Sequence, residues 1–581
     1  MTLPSLYDEG PFAPVPRPFN LAAHALAAAD RTPGKTALEI LAAPGEVAEA
    51  WSYARLRDAV LRAAGGLAAR GVAPGDRVLL RIGNSSDFPV LFLAANALGA
   101  IPVPTSTLLT APEVATLVDD LDPRAILVGA GVAPPPDPGR ADLLLAPDLA
   151  RLRAAAPVAG FAATDPDDPA YILYTSGSAS RPKGVLHAQR AAWARRMMWD
   201  GWYGLTAEDR VLHAGAFNWA YTLGAGLMDP WAAGATALIH AGPPSRHVWP
   251  ALAAAHRATL FAAVPGVYRQ MLDAPALRAG FARLRHGLSA GEALPASVAA
   301  AWTAATGKPV YEAIGMTEIS TYVSFSPTSP PLPGHVGRPQ QGRRVAILPE
   351  DDETPGTGGS LGSPGTGDTP TSPRTRRASI SPGAGRTPAS PGDDTPVWPG
   401  TGGTPASPGT GGASASPGTG ETPVPRGAEG LLAVSRRDPG LMLGYWRRPE
   451  ETAAAMRGEW FLTGDRARMD PSGTIAHLGR AGELMNAGGY RVSPAEVEAA
   501  LALHPGVAEA AVAEIALRDG VSIIAAFYVP AGAPVPPEAL AAHCAARLAR
   551  YKLPRAFHAV AALPRTANGK LRRAALAGLL P

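Results

Sequence analysis

Apolar positions along the first 130 residues switch between two periods. The stretch "WSYARLRDAVLRAAGGLAARGV" (51–72) repeats its apolar residues at helical spacing and stops at glycine. "DRVLLRI" (76–82) is a short continuous apolar run, the mark of a buried strand. "DFPVLFLAANALGAIPVP" (87–104) reads as an apolar helix, a glycine stop and another strand. The alternation continues through "ATALIH" (235–240), "ATLFAAV" (258–264) and "RHGLSAG" (285–291). Helices alternating with buried strands predict an α/β fold with a largely parallel sheet. Near the C-terminus the pattern changes. "YRVSPAEVEAALALHPGV" (490–507) carries a helix start, with Ser493 as cap, Pro494 at the first helical position and Glu496 three residues after the cap. Two strand patterns follow, "VAEAAVAEIAL" and "SIIAAFYV", and then a helix, "PEALAAHCAARLARY". The expected architecture is a large, multi-subdomain N-terminal part with mixed sheets and helices (1–480) and a small α+β C-terminal domain (481–581).

One stretch has no core pattern. From 356 to 423 the chain is Gly, Pro, Ser and Thr with few aliphatics, and "SPGTG" begins at Ser363, Ser407 and Ser416. Such a composition cannot bury enough apolar area to offset the entropy of ordering, which predicts disorder. Glu353-Thr354-Pro355 recurs as Glu421-Thr422-Pro423. Excising one copy and everything between leaves "VAILPEDDETPVPRGAEGLLAV", which reads as strand, turn, strand. The stretch is expected to be an expanded hairpin tip. Loop-closure entropy grows slowly with length, so a fold tolerates such an expansion. An interaction tail is the alternative.

Composition narrows the classes. The 581 residues carry 52 Lys+Arg against 49 Asp+Glu, a net charge of +3, and the basic residues are scattered, which argues against a nucleic-acid surface. Cys544 is the only cysteine, so an intrachain disulfide and a cysteine-rich metal site are excluded. No run approaches about 18 uncharged apolar residues, and the N-terminus lacks the basic-then-apolar order of a secretory signal. A cytoplasmic protein without stable membrane insertion is expected.

Candidate chemistry begins at "YTSGSASRPKGV" (174–185). This loop is rich in hydroxyls and glycine after an apolar strand, so its N–H groups are open to an anion. It is not the GxxxxGK[ST] loop of kinases and GTPases, because Pro182-Lys183-Gly184 closes it. Four more elements follow: "YEAIGMTEIS" with Thr317 and Glu318, "FLTGDRARMD" with Asp465, "HLGRAGELMNAGGYRVSPAEVE" with Arg480, and "LPRTANGKLRR" with Lys570.

All five elements, in this order, resemble the acyl-adenylate-forming superfamily: acyl-CoA synthetases, nonribosomal adenylation domains and luciferases. The resemblance spans nearly the whole chain outside 356–423, and is strongest toward medium-chain and aryl acyl-CoA synthetases. It implies a ligase that uses ATP, Mg²⁺ and CoA. A carboxylic acid is joined to the α-phosphate of ATP, pyrophosphate leaves, and the acyl group then passes to a thiol. Two anions must approach, so cations and oriented N–H groups must offset their repulsion. By this resemblance Thr175, Ser176, Gly177, Ser178 and Lys183 hold the β- and γ-phosphates. Thr317 touches the α-phosphate, and Glu318 holds Mg²⁺. Asp465 accepts the ribose hydroxyls beside Arg480. Glu312, Ala313 and Ile314 line the adenine, with Gly291 and Glu292 among the nucleotide-binding residues. Lys570 stabilises charge during adenylation. Rotation of the small domain then brings "GGYRVSP" in, with Gly489, Tyr490 and Arg491 near the CoA path. No carrier-protein domain follows residue 581, which favours free CoA; the family leaves a homodimer open.

The chain departs from the family pattern at Ala179-Ser180, where Thr-Gly is usual, and at Gly482, where the hinge is usually Asp or Lys. The first change restricts φ and removes a phosphate donor; the second leaves rotation free. "HAGAFNWAYTLGAGLMDPWAAGATALI" (213–239) lies where the family builds its acyl pocket. Phe217, Trp219 and Tyr221 are candidate walls, with Gly224 and Gly226 leaving space. Acetate-specific relatives have tryptophan at the position of Gly315, so glycine there implies a larger acid, either medium-chain fatty or aromatic. The competing functions are a standalone adenylating enzyme that loads a carrier protein, and a nucleotide-binding scaffold without turnover.

Overall fold

The structure is a computed structural model. It describes the chain apart from residues 1–2, 176–181, 243–244, 246, 351–420, 481–484, 488–489, 493, 519–520, 549–551, 566–570 and 581. Ser176, Gly177, Ser178, Ala179, Ser180, Gly482, Gly489, Ser493 and Lys570, each given an expected role above, therefore lie outside the described residues. So does most of the 356–423 stretch.

A nine-stranded sheet organises the large part. Its centre is parallel, in the order Val310–Met316, His286–Ala290, Leu260–Ala263, Arg210–His213, Thr236–His240 and Thr36–Ala43. Antiparallel strands close both edges: Ser320–Ser324 with Arg338–Pro339 on one side, and Glu46–Ser52 on the other. A second, four-stranded parallel sheet runs Ile101–Pro104, Arg77–Arg81, Ala125–Val128, Asp142–Leu144. The strands expected at 76–82, 235–240, 258–264 and 285–291 all fall in these two sheets.

The helix expected over 51–72 spans Tyr53–Ala69 and is capped by Ser52, whose hydroxyl accepts from the Arg55 N–H at 3.2 Å. Its buried face, Leu56, Val60, Ala63 and Leu67, faces the core shared with the apolar helix Asp87–Ala97. At about 25 cal/mol per Å², each fully buried leucine or valine contributes roughly 2 kcal/mol. A Cβ on Gly66 would lie 2.8 Å from Leu152 Cα, so glycine lets the helix Ala146–Arg153 pack against it.

A six-stranded sheet carries Asp465 and Arg480. Arg344–Leu348 pairs with Glu429–Ser435, Leu348 opposite Leu431 and Val345 opposite Val434. Next come Trp460–Met469 and Ile475–Arg480. The C-terminal part holds the short hairpin Met485–Ala487 and Tyr490–Val492, the helix Pro494–Ala502, and the long hairpin Val507–Arg518 with Val521–Pro530. Ala556–Ala559 adds in parallel. Its core joins Val497, Leu501, Val512, Ile524, Leu540 and the buried Cys544. No described helix is long and apolar enough to cross a membrane.

Candidate active site

The carboxyl ends of two parallel strands bring Gly291 and Glu292 beside the Glu312–Gly315 segment. That end of the strands is where open α/β sheets bind ligands, because loops there leave the sheet in divergent directions. Ser289 pairs with Glu312 and Ala290 with Ala313, so Gly291 and Glu292 emerge beside Ile314 and Gly315. Gly291 sits at φ +99°, a backbone conformation that favours glycine.

Glu312 accepts a 2.7 Å hydrogen bond from the Leu294 N–H. Burial pushes its carboxyl up to about 7, while that bond and the nearby His477 pull it down. Gly315 lies at a β-bulge in the pairing with Ser320–Ser324. A Cβ there would stand 2.7 Å from Ser320 O and 2.8 Å from Thr321 Cα. Thr317 and Glu318 form the turn between these two strands.

Thr175 and Lys183 are register partners at the ends of two antiparallel strands. Lys183 forms an ion pair with Glu451, and its ammonium lies 5.2 Å from the centroid of the Tyr445 ring. Tyr445 is brought there by pairing with Val185. Its hydroxyl donates a 2.8 Å hydrogen bond to Glu318 Oε1. Burial, with Glu318 beside it, raises the Tyr445 hydroxyl well above its ordinary range, so it stays a donor. A continuous set of contacts thus links Lys183 to the Thr317–Glu318 turn.

Asp465 is 6% exposed and faces Arg480 across the ladder. Arg480 Nε lies 3.1 Å from Asp465 Oδ1, and His477 Nε2 lies 3.4 Å from the same oxygen. Arg480 Nη1 also donates to Thr463 O at 2.6 Å, which fixes the guanidinium. His477, Tyr445 and Glu451 were not among the sequence candidates. "GYWRRPEET" and "HLGR" stand beside the quoted motifs, yet nothing in their composition marks these side chains.

The acyl-pocket candidates separate. Tyr221 lies edge-on to His213 at 4.5 Å and donates to Leu288 O at 3.0 Å, which places it beside the strand that ends at Gly291. Trp219 is half-buried. Phe217 is 1% exposed and stacks on Phe88 at 5.1 Å, within the apolar core. Gly224 and Gly226 belong to a π-helical segment, Thr222–Met228. Their missing side chains admit other residues: a Cβ on Gly224 would strike the Arg195 guanidinium at 2.0 Å, and one on Gly226 would meet the His213 ring at 3.2 Å. Arg195 makes a bidentate pair with Asp229 at 2.7 and 2.6 Å, and Tyr203 donates to the same carboxylate at 2.8 Å. Tyr490 and Arg491 lie on the strand Tyr490–Val492, with their side chains outside the described part.

Residues 26–366 match the AMP-binding enzyme family, and residues 496–570 match the AMP-binding enzyme C-terminal domain. The chain is 30% identical to the benzoate–CoA ligase of Thauera aromatica, with 87% of this chain and 86% of that protein covered. It is 27% identical to the 3-hydroxybenzoate–CoA ligase of Aromatoleum sp. (strain CIB), with 91% of each covered. The fold matches the crystal structure of a benzoate CoA ligase from Burkholderia xenovorans LB400, with a TM-score of 0.76 and 28% identity over 96% of this chain and 99% of that one.

Proposed function

The chain belongs to the AMP-binding enzyme family, and from that premise we propose that it is an ATP-dependent acid–CoA ligase acting on an aromatic acid of the benzoate type. A carboxylate oxygen attacks the α-phosphorus of ATP, the bond to the β-phosphate oxygen breaks, and pyrophosphate leaves. The thiol of CoA then attacks the acyl carbonyl, AMP departs, and the thiol proton passes to solvent.

The observation that carries this reading is the contact series Lys183, Tyr445, Glu318 beside Thr317. It gathers a cation, a carboxylate and a hydroxyl, the groups that phosphate charge and its metal ion require, which supports the reading. Thr175 and Lys183 hold the outer phosphates together with the loop between them. Asp465, oriented by Arg480, receives the ribose. Glu312 and Ile314 border the base. Lys570 supplies the cation for adenylation, and Gly489, Tyr490 and Arg491 serve the CoA step.

Mg²⁺ fits the donor set. Glu318 is a buried carboxylate held by Tyr445, and Mg²⁺ is usually bound by one or two carboxylates together with substrate phosphates. When bound, the ion neutralises phosphate charge. Glu318 orients for it, and Thr317 offers its hydroxyl alongside.

Named aromatic-acid relatives and the Trp219, Tyr221 and Gly315 surroundings support an aromatic acid; a medium-chain fatty acid is the alternative. We place the enzyme in the cytoplasm, with domains 1–480 and 481–581 and the 356–423 stretch as a hairpin expansion. The deciding measurement is ATP- and CoA-dependent AMP release across C2–C12 aliphatic and benzoate-type acids. The reading predicts turnover highest with a benzoate-type acid. Acyl-AMP without thioester would point to a carrier protein as acceptor, and pyrophosphate release with none of the acids would overturn ligation. Light scattering during the same preparation reads monomer against homodimer.

A further inference from the structure

Four charged side chains meet where the C-terminal part touches the nucleotide edge of the large sheet. Arg269 lies on the helix Pro265–Met271, and Glu292 follows the strand His286–Ala290. Glu509 lies on the strand Val507–Arg518, and Arg565 follows the last strand, Ala556–Ala559. One oxygen of Glu509 lies 3.1 Å from Arg269 Nη2, and the other lies 2.7 Å from Arg565 Nη2. Arg565 Nη1 lies 3.5 Å from Glu292 Oε2. Charges alternate along Arg269, Glu509, Arg565 and Glu292, so each inner member has a partner on the opposite part of the chain. All four side chains are between 22% and 29% exposed. Pairs this wet are individually weak and sensitive to salt, which suits a contact that must open in every cycle.

The backbone around Arg565 is fixed. Arg565 bridges Leu571, and the Arg572 N–H donates to Pro564 O at 2.8 Å. Leu571 therefore lies beside Arg565, and Lys570 immediately precedes Leu571 in sequence. An arrangement in which Arg565 reaches Glu292, next to Gly291 at the end of a parallel strand, brings the C-terminal part to the nucleotide edge.

We propose that Arg269, Glu509, Arg565 and Glu292 form an ionic latch that holds the C-terminal part in the arrangement for acyl-AMP formation and opens before thioester formation. The latch rests on the ligase reading above. Arg269 and Glu509 are positioning residues: neither reaches the reacting atoms, and both act through Arg565.

The test separates the two half-reactions of the full-length enzyme in single turnovers. Acyl-AMP formation is followed from ATP and benzoate, and thioester formation from supplied benzoyl-AMP and CoA. Arg269→Ala and Glu509→Gln are expected to slow acyl-AMP formation about three- to tenfold and to leave thioester formation within twofold of the parent. Arg269→Lys should recover most of the loss. Raising NaCl to 0.5 M, where screening acts within about 4–5 Å, should slow the parent's first step and change Arg269→Ala much less. Equal slowing of both steps, no slowing of either, or no recovery by lysine overturns the latch while leaving the ligase reading intact. A parent enzyme that forms no acyl-AMP with any acid of the panel overturns both.

Discussion

Tyr445 Oη donates a 2.8 Å hydrogen bond to Glu318 Oε1 across 127 positions of sequence. The same ring lies 5.2 Å from the Lys183 ammonium. One tyrosine therefore sets the carboxylate expected to hold Mg²⁺ and borders the lysine expected to hold phosphate.

Removing that hydroxyl tests the arrangement. A hydrogen bond to a charged group contributes about 1.5 kcal/mol or more. Tyr445→Phe is thus expected to raise the Mg²⁺ concentration for half-maximal acyl-AMP formation about tenfold, with the KM for the acid unchanged. A titration of pyrophosphate release against Mg²⁺ reads this directly; an unchanged midpoint refutes the orienting role.

Glu451 pairs with the Lys183 ammonium, the cation proposed to hold phosphate. Its side chain is 40% exposed, so the pair is worth at most about 1 kcal/mol. Glu451→Gln should free the ammonium and lower the KM for ATP two- to fivefold. A rise in KM would mean instead that Glu451 positions Lys183 for phosphate.

Glu312 makes stability depend on pH. Its carboxyl moves from 4.5 to about 7 on folding, so the folded state binds the proton more tightly than the unfolded chain. The stabilising contribution is complete below pH 4.5 and is lost as pH rises to 7. Glu312→Gln keeps the acceptor for the Leu294 N–H and removes the charge. The variant should nearly equal its parent at pH 4.5 and exceed it by roughly 3 kcal/mol at pH 8. Denaturant melts at the two pH values check the difference; parallel profiles would refute it.

Pairing of Arg344–Leu348 with Glu429–Ser435 needs nothing from the intervening composition. Deleting residues 353–420 leaves every paired residue of that hairpin in place. The shortened protein is expected to keep both half-reactions within twofold and its melting temperature within a few degrees. Loss of activity in a folded deletion variant would show that the stretch takes part in function.

Much of this architecture is written locally. The 3.6-residue spacing of Leu56, Val60, Ala63 and Leu67 and the apolar run of Arg77–Arg81 each depend on neighbours a few positions away, and both are legible without a structure. The motifs holding Thr317, Glu318, Asp465 and Arg480 are legible for the same reason: each is short and contiguous. Tyr445, His477 and Glu451 are not. Their roles arise because Tyr445 pairs with Val185 and His477 shares a ladder with Asp465, and such juxtapositions belong to sheet topology. The latch residues are further out of reach, since ordinary surface arginines and glutamates acquire meaning only once two parts of the chain meet. Phe217 shows the opposite limit: an aromatic in the right stretch can still be core, because its ring found Phe88.

If Gly315 borders the acid as proposed, its packing sets a boundary on how the substrate range can drift. Even alanine would push a methyl group against the carbonyl of Ser320 and the backbone of Thr321, and backbone does not yield as a flexible side chain does. Converting this protein to a short-acid enzyme by enlarging that one residue would first require the returning strand to move. Under the same proposal, half-buried Trp219 offers adaptation or engineering another path, because shortening its side chain adds no atom beside the main chain.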